Sequence, residues 1–156
     1  MAQAKALAAD LFASRLFSAY GNAPAVLSVI LAGRELGMTA TASLRGFHVI
    51  DGKPTLAADL IRALVIRSGE AKYFRCTERT PERATFVTKR GDDPELSLTV
   101  TIDEAKTAWK GSKQAWDASG WGKVPADMLV ARAGSKLARL VFPDVVHGLD
   151  AREEME

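Results

Sequence analysis

The spacing of apolar residues divides the chain into a helical first third, a strand-rich middle and a helical end. Over residues 4–20, Leu7, Leu11, Phe12 and Leu16 recur at helical spacing in an alanine-rich background, and Gly21-Asn22 stops the pattern. Asn22 can cap a second helix with Pro24 in its first turn, where the missing N–H costs nothing. That helix runs to about Leu36 and Gly37 ends it. Thr39 or Thr41 starts a short third helix through Leu44. Two short apolar stretches then flank Asp51-Gly52, which is a tight hairpin signal, and Pro54 belongs at an edge because it cannot donate to a ladder. Residues 57–68 form an amphipathic helix with Leu60, Ile61, Leu64 and Val65 on its buried stripe and Gly69 at its end.

Three strands follow, at 72–77, 84–90 and 96–102, each with imperfect two-residue alternation of β-branched or aromatic residues. Thr80-Pro81 and the run from Gly91 to Pro94 supply the turns of an antiparallel meander. Asp103 can cap a short helix to about Lys110. A glycine-rich loop over 110–123 precedes Pro125, which opens the longest helix of the second half, to about Phe142, where Pro143 stops it. The expected fold is α+β: a small antiparallel meander plus a short hairpin, packed against a long C-terminal helix and N-terminal helices. At 156 residues the chain is expected to form one domain, 1–156, with an acidic tail at 143–156.

Composition excludes several classes. A single cysteine, Cys76, rules out an intramolecular disulfide and a cysteine-built zinc site, and His48 and His147 are too far apart for a helical two-histidine motif. The longest apolar run, 23–32, is too short to cross a bilayer, and no secretory signal opens the chain, so a soluble cytoplasmic protein is expected. There is no phosphate-cradling loop and no dinucleotide fingerprint. Asp92, Asp93 and Glu95, and Asp103 with Glu104, lack a lysine or histidine at a spacing that names a nuclease or hydrolase. Solvated turns and a helix N-cap explain them.

Charge is segregated although the net is only +2. Residues 72–91 carry +4, 92–105 carry −5 and 106–139 carry +5. Such blocks fit a molecule with one positive side, or charges clustered on solvated turns. On the last helix Arg132, Lys136 and Arg139 fall at i, i+4 and i+7 and share one face beside a stripe of Leu129, Ala133, Leu137 and Leu140 that should pack on the sheet. That row fits a phosphate backbone, or a solvated face neutralised by the acidic tail. On the strands, Lys72, Arg75, Lys89 and Arg90 interleave with Tyr73, Phe74 and Phe86, as on surfaces where rings stack bases and cations track phosphates, while Phe74 and Phe86 themselves read as core. Trp109, Trp116 and Trp121 lie among Lys106, Lys110, Lys113 and Lys123, where indoles either stack bases or cover the core.

Residues 44–56, Leu-Arg-Gly-Phe-His-Val-Ile-Asp-Gly-Lys-Pro-Thr-Leu, with Asp59-Leu60 and Ala63-Leu64-Val65, resemble the start of the RecT/Redβ family of phage single-strand annealing recombinases. The ending is similar too: 125–129, Ala131-Arg132-Ala133, 138–145 and Gly148-Leu149, with Glu153-Glu154 beyond. The resemblance covers about residues 22–155. It implies a protein that binds single-stranded DNA and the annealed duplex, anneals complementary strands without ATP, and assembles into rings or helical filaments. It further implies a sheet beside a long helix with DNA in a basic groove between them, held by Arg132 and Arg139. A phage exonuclease and a single-strand-binding protein are implied as partners through a further C-terminal region. The chain departs from the family at Val124, where an aromatic is usual. No cofactor is expected, Mg²⁺ serving only as a counterion. The competing expectations are a non-enzymatic phage accessory module whose basic side meets an acidic protein, and a small nuclease using Asp92, Asp93 or Asp103.

Overall fold

The computed structural model describes residues 1–50, 52–147 and 151. The chain divides into two compact units, Met1–Thr55 and Leu56–Glu156, where the sequence alone offered no boundary.

In the first unit α1 (Ala2–Ala13) packs on α2 (Ala23–Glu35) through Ala4 and Ala8, both buried. The helix expected to reach Tyr20 stops six residues past Leu7, at Ala13. Ser14 Oγ donates to the Leu11 carbonyl and accepts from the Leu16 N–H, while Arg15 takes a φ of 64°. A serine side chain thus replaces the backbone bonds that would have continued the helix. A single 3₁₀ turn, Ser18–Tyr20, follows. Asn22 caps α2 by accepting from the Ala25 N–H at 2.8 Å, and Gly37 leaves the helix at a φ of 67°. Thr39 caps α3 (Ala40–Gly46) in the same way. The α2–α3 crossing is so close that a Cβ on Gly33 would stand 1.8 Å from Ser43 Oγ. The Tyr20 hydroxyl lies 2.7 Å from the Leu44 carbonyl and 2.6 Å from that of Phe47, tying the 3₁₀ turn to the end of α3. Its pKa is raised by burial. The hairpin is present as β1 (Phe47–Ile50) and β2 (Lys53–Leu56), with Gly52 at a φ of 75° and the Thr55 hydroxyl donating to the His48 carbonyl. Asp51 lies outside the described residues.

The second unit is a three-stranded antiparallel sheet in the order β3 (Ala71–Arg79), β4 (Arg83–Arg90), β5 (Leu96–Thr101), covered on one face by helices. α4 (Ala58–Ser68) supplies Ile61, Leu64 and Val65 to the core and ends at Gly69 in the left-handed region. α5 (Ile102–Trp109) is capped by Thr101 and not by Asp103. Thr101 and Glu104 form a reciprocal capping box, because the strand ends one residue earlier than expected. After a 3₁₀ turn, Trp116–Ala118, come α6 (Gly120–Lys123), α7 (Pro125–Val141) and α8 (Pro143–Val146). Pro143 thus ends one helix and opens another short one.

α7 lies on the sheet through Leu129, Ala133, Leu137 and Ala138, all fully buried. Gly134 makes the closest approach, since a Cβ there would meet Phe86 Cζ at 3.3 Å. Phe74 and Phe86 are core, as their pattern suggested, with ring centroids 5.6 Å apart. Leu140 is not: it continues the Leu129–Leu137 stripe into the last turn, where it is 62% exposed. Among the described residues no single helix is long and apolar enough to cross a membrane; α2 and α3 pass that test only as a pair bent by 105°.

Candidate nucleic-acid interface

The expected site residues fall into groups that the fold keeps apart. Strand register puts Tyr73 opposite Lys89 and Arg75 opposite Val87. Directly opposed residues share a face, so Arg75 and Lys89 stand on one face of the sheet while Phe74, Phe86 and Thr88 stand on the other, under α7. The Arg75 guanidinium lies 4.5 Å from the Tyr73 ring centroid. Tyr73 donates its hydroxyl to Glu95, and that hydrogen bond raises the phenol pKa. Arg132, Lys136 and Arg139 belong to the helix on the opposite face. The groove expected between sheet and helix is closed at Gly134, where α7 rests directly on Phe86.

Ion pairing takes up four of the six cations in one basic block, leaving Arg75 and Lys89 without a carboxylate partner among the described residues. In the block 72–91, Lys72 pairs with Asp92 at 3.1 Å, Arg83 with Glu78 at 2.7 Å and Arg79 with Asp127. Arg90 is the most committed. Its Nη1 and Nη2 each donate at 2.7 Å to one oxygen of Asp144, Nη1 also donates to the Val141 carbonyl, and Nη2 reaches Glu70 at 3.4 Å. Its guanidinium also lies 5.3 Å from the Phe142 ring centroid. The bidentate pair raises the Arg90 pKa and holds the Asp144 carboxyl below its usual range. Lys72 and Arg90 were candidates for phosphate contact; their partners are instead acids that the fold brings in from 20 and 54 residues away.

The block 106–139 behaves differently. Lys106, Lys110, Lys113, Lys123 and Lys136 are all exposed, and no carboxylate among the described residues pairs with them. In sequence, Lys106, Lys110, Lys113 and Lys123 interleave with three indoles that pack on one another. Trp109 meets Trp116 edge-on, with centroids 5.9 Å apart at 88°, and Trp116 stacks on Trp121 at 5.9 Å and 25°. The Arg132 guanidinium lies 4.8 Å from the Trp121 ring centroid, joining the loop to α7. Trp109 Nε1 donates to the Gln114 carbonyl and Ser119 Oγ to that of Trp116. Gly122 is required here because a Cβ would stand 2.5 Å from Asp117 Cα and 2.6 Å from the Trp116 carbonyl oxygen.

The covering role falls to one of the three tryptophans. Trp121 is 2% exposed and lids the core, so it is unavailable to a base. Trp109 and Trp116 are half-buried and keep ring surface at the protein boundary.

Arg62 was not anticipated. It sits half-buried on α4 with its guanidinium 5.5 Å from the Phe86 ring centroid, and lines a cleft of about 400 Å³ with Asp59, Asp127 and Met128. Its place beside Ile61 at the margin of the α4 stripe was the available signal. Among the described residues no group of three histidine, cysteine, aspartate or glutamate side chains is placed to hold a metal ion. Asp92, Glu95 and Glu104 are engaged with Lys72, Tyr73 and the α5 cap respectively. Compared with known proteins, the sequence matches no family model and no curated protein.

Proposed function

We propose that this chain binds single-stranded DNA through the lysines of residues 106–136 and the half-buried indoles among them. In this reading it anneals complementary strands without ATP, in the cytoplasm, in phage-type recombination, acting as an oligomer without a covalent step. The observation that carries the proposal is a contrast in pairing: these lysines are exposed and, among the described residues, have no carboxylate partner, whereas Lys72, Arg79, Arg83 and Arg90 of the neighbouring block are ion-paired. Exposed cations without internal partners are free to neutralise phosphates, and release of the polyanion's condensed counterions drives the binding. The resemblance to RecT/Redβ recombinases supports annealing in particular. Two strands repel each other, and a protein that neutralises one backbone while leaving base edges open lowers that barrier. Mg²⁺ then screens the incoming strand as a counterion.

The test is a strand-annealing assay without nucleotide, run beside a sizing measurement. The expected result is accelerated pairing of complementary oligonucleotides, with no acceleration for non-complementary ones. A protein that retains no DNA but co-purifies with an acidic protein would replace this reading with that of an accessory interaction module.

A further inference from the structure

The three-stranded sheet has two edges, and they differ in a way that matters for assembly. Exposed edges invite pairing with another chain, and proteins normally blunt them with charges, bulges or proline. The β3 edge is blunted: its register slips between Ala71 and Tyr73 and again between Cys76 and Glu78, and it carries Lys72, Arg75, Glu78 and Arg79. The β5 edge is not. Residues 96–101 read Leu-Ser-Leu-Thr-Val-Thr, with no charge and no proline, and their register with β4 is unbroken from Arg83↔Thr101 to Thr88↔Leu96.

The ladder fixes which backbone groups point outward. The Ile102 N–H donates to the Glu82 carbonyl at 2.8 Å, just past the strand. By alternation, Leu96, Leu98 and Val100 direct their N–H and carbonyl groups to β4, and Ser97, Thr99 and Thr101 direct theirs away. The Thr101 N–H is taken by the Glu104 carboxylate at 3.0 Å. Ser97 and Thr99 are left, each exposed, each offering one donor and one acceptor along an open edge.

We propose that this edge pairs antiparallel with β5 of a second copy of the chain, about a two-fold axis at Leu98. In that register Ser97 faces Thr99 of the other copy and the reverse, so every outward N–H and carbonyl of both residues gains a partner. Leu98 meets its own counterpart, and Leu96, 45% exposed in one copy, meets Val100 of the other. The hydroxyl-bearing face continues across the junction as one surface. The strand is self-complementary because it alternates small polar with apolar residues and carries no charge to oppose its own copy. The bulged, charged β3 edge cannot accept β5 in register, so the pairing closes as a dimer. The inference does not depend on the nucleic-acid reading.

Sedimentation of the full chain over a range of concentrations should show reversible doubling of mass. Ser97→Pro deletes an outward donor without touching the β4 ladder; it should keep the far-UV circular dichroism of the parent and remain monomeric. In a Cys76→Ser background, Leu98→Cys should oxidise to a covalent dimer, because like residues oppose each other only at position 98. Ser97→Cys should do so far less. Three results would overturn the proposal: a parent chain that stays monomeric, a dimer that persists undiminished in Ser97→Pro, or equal cross-linking at 97 and 98.

Discussion

If unpaired lysines are what meet the DNA backbone, the salt dependence of binding should report them individually. Each neutralised phosphate of a single strand contributes about −0.7 to the slope of log K against log salt. With Lys106, Lys110, Lys113, Lys123 and Lys136 on the backbone, the slope is about −3.5, and doubling the salt weakens binding roughly tenfold. Changing Lys110, Lys113 and Lys123 to Ala leaves a slope of about −1.4, so the same doubling weakens binding only about two- to threefold. Lys72→Ala is the informative control. Its ammonium is already 3.1 Å from Asp92, so it is not expected to neutralise a phosphate, no DNA counterion is released on its account and the slope should not move. The measurement is fluorescence anisotropy of a labelled generic oligonucleotide at several salt concentrations. An unchanged slope in the triple variant would place the interface elsewhere. A fall in Lys72→Ala as large as that per lysine in the triple variant would mean that internal pairing does not sort the cations, which is the whole basis of the assignment.

Two further outcomes test the scaffold behind the interface. Asp144 is held below its ordinary value of 3.8 by hydrogen bonds from Arg90, so the stability this pair supplies is present above that value and lost as pH falls through the lower folded pKa. Arg90→Gln should therefore lower the urea midpoint at pH 7, with the gap to the parent closing in acid; a gap independent of pH would assign the effect to packing on Phe142. Gly122→Ala forces a Cβ against the backbone of Trp116 and Asp117 and should cost about 1–3 kcal/mol, with loss of the near-UV tryptophan signal; an unaltered spectrum would mean that the loop tolerates a different path.

Much of the fold was legible because its signals are local. Asn22, Gly37 and Gly69 stop and start helices by chemistry confined to one turn, and the structure uses them as read. The errors came where one side chain outcompeted a pattern. Nothing in the alanine-rich run announces a break at Arg15, because the break depends on Ser14 folding its hydroxyl back onto Leu11. Asp103 looked like the cap of α5, but a strand ending at Thr101 puts the Thr-x-x-Glu box in place first. Leu140 fits the stripe of α7 in periodicity and fails it in position, because among the described residues none covers it in the last turn. The site was less legible than the fold. Block charges can be read from composition, whereas neutralisation cannot: Arg90 finds Asp144 54 residues on, and Arg79 finds Asp127 48 residues on.

Those long-range pairs also divide the labour between the two cationic residue types. In the second unit Arg79, Arg83 and Arg90 are bound to carboxylates, and Arg62, Arg75, Arg90 and Arg132 lie over aromatic rings. Guanidinium groups suit such work, since they are planar and weakly hydrated and give fixed geometry. The cations left to meet an outside anion are mostly lysines, compact charges on flexible stems that recognise phosphate without a required orientation. Arginine is also the side chain best matched to reading guanine edges, and here most of it is occupied. A surface built this way should grip a nucleic-acid backbone with little regard for sequence. That is the property annealing demands, because a protein that preferred particular bases would stall wherever they occurred. Oligonucleotides of equal length and contrasting base composition should therefore bind within a few-fold of one another, and a strong preference would show that arginines leave their internal partners to read bases.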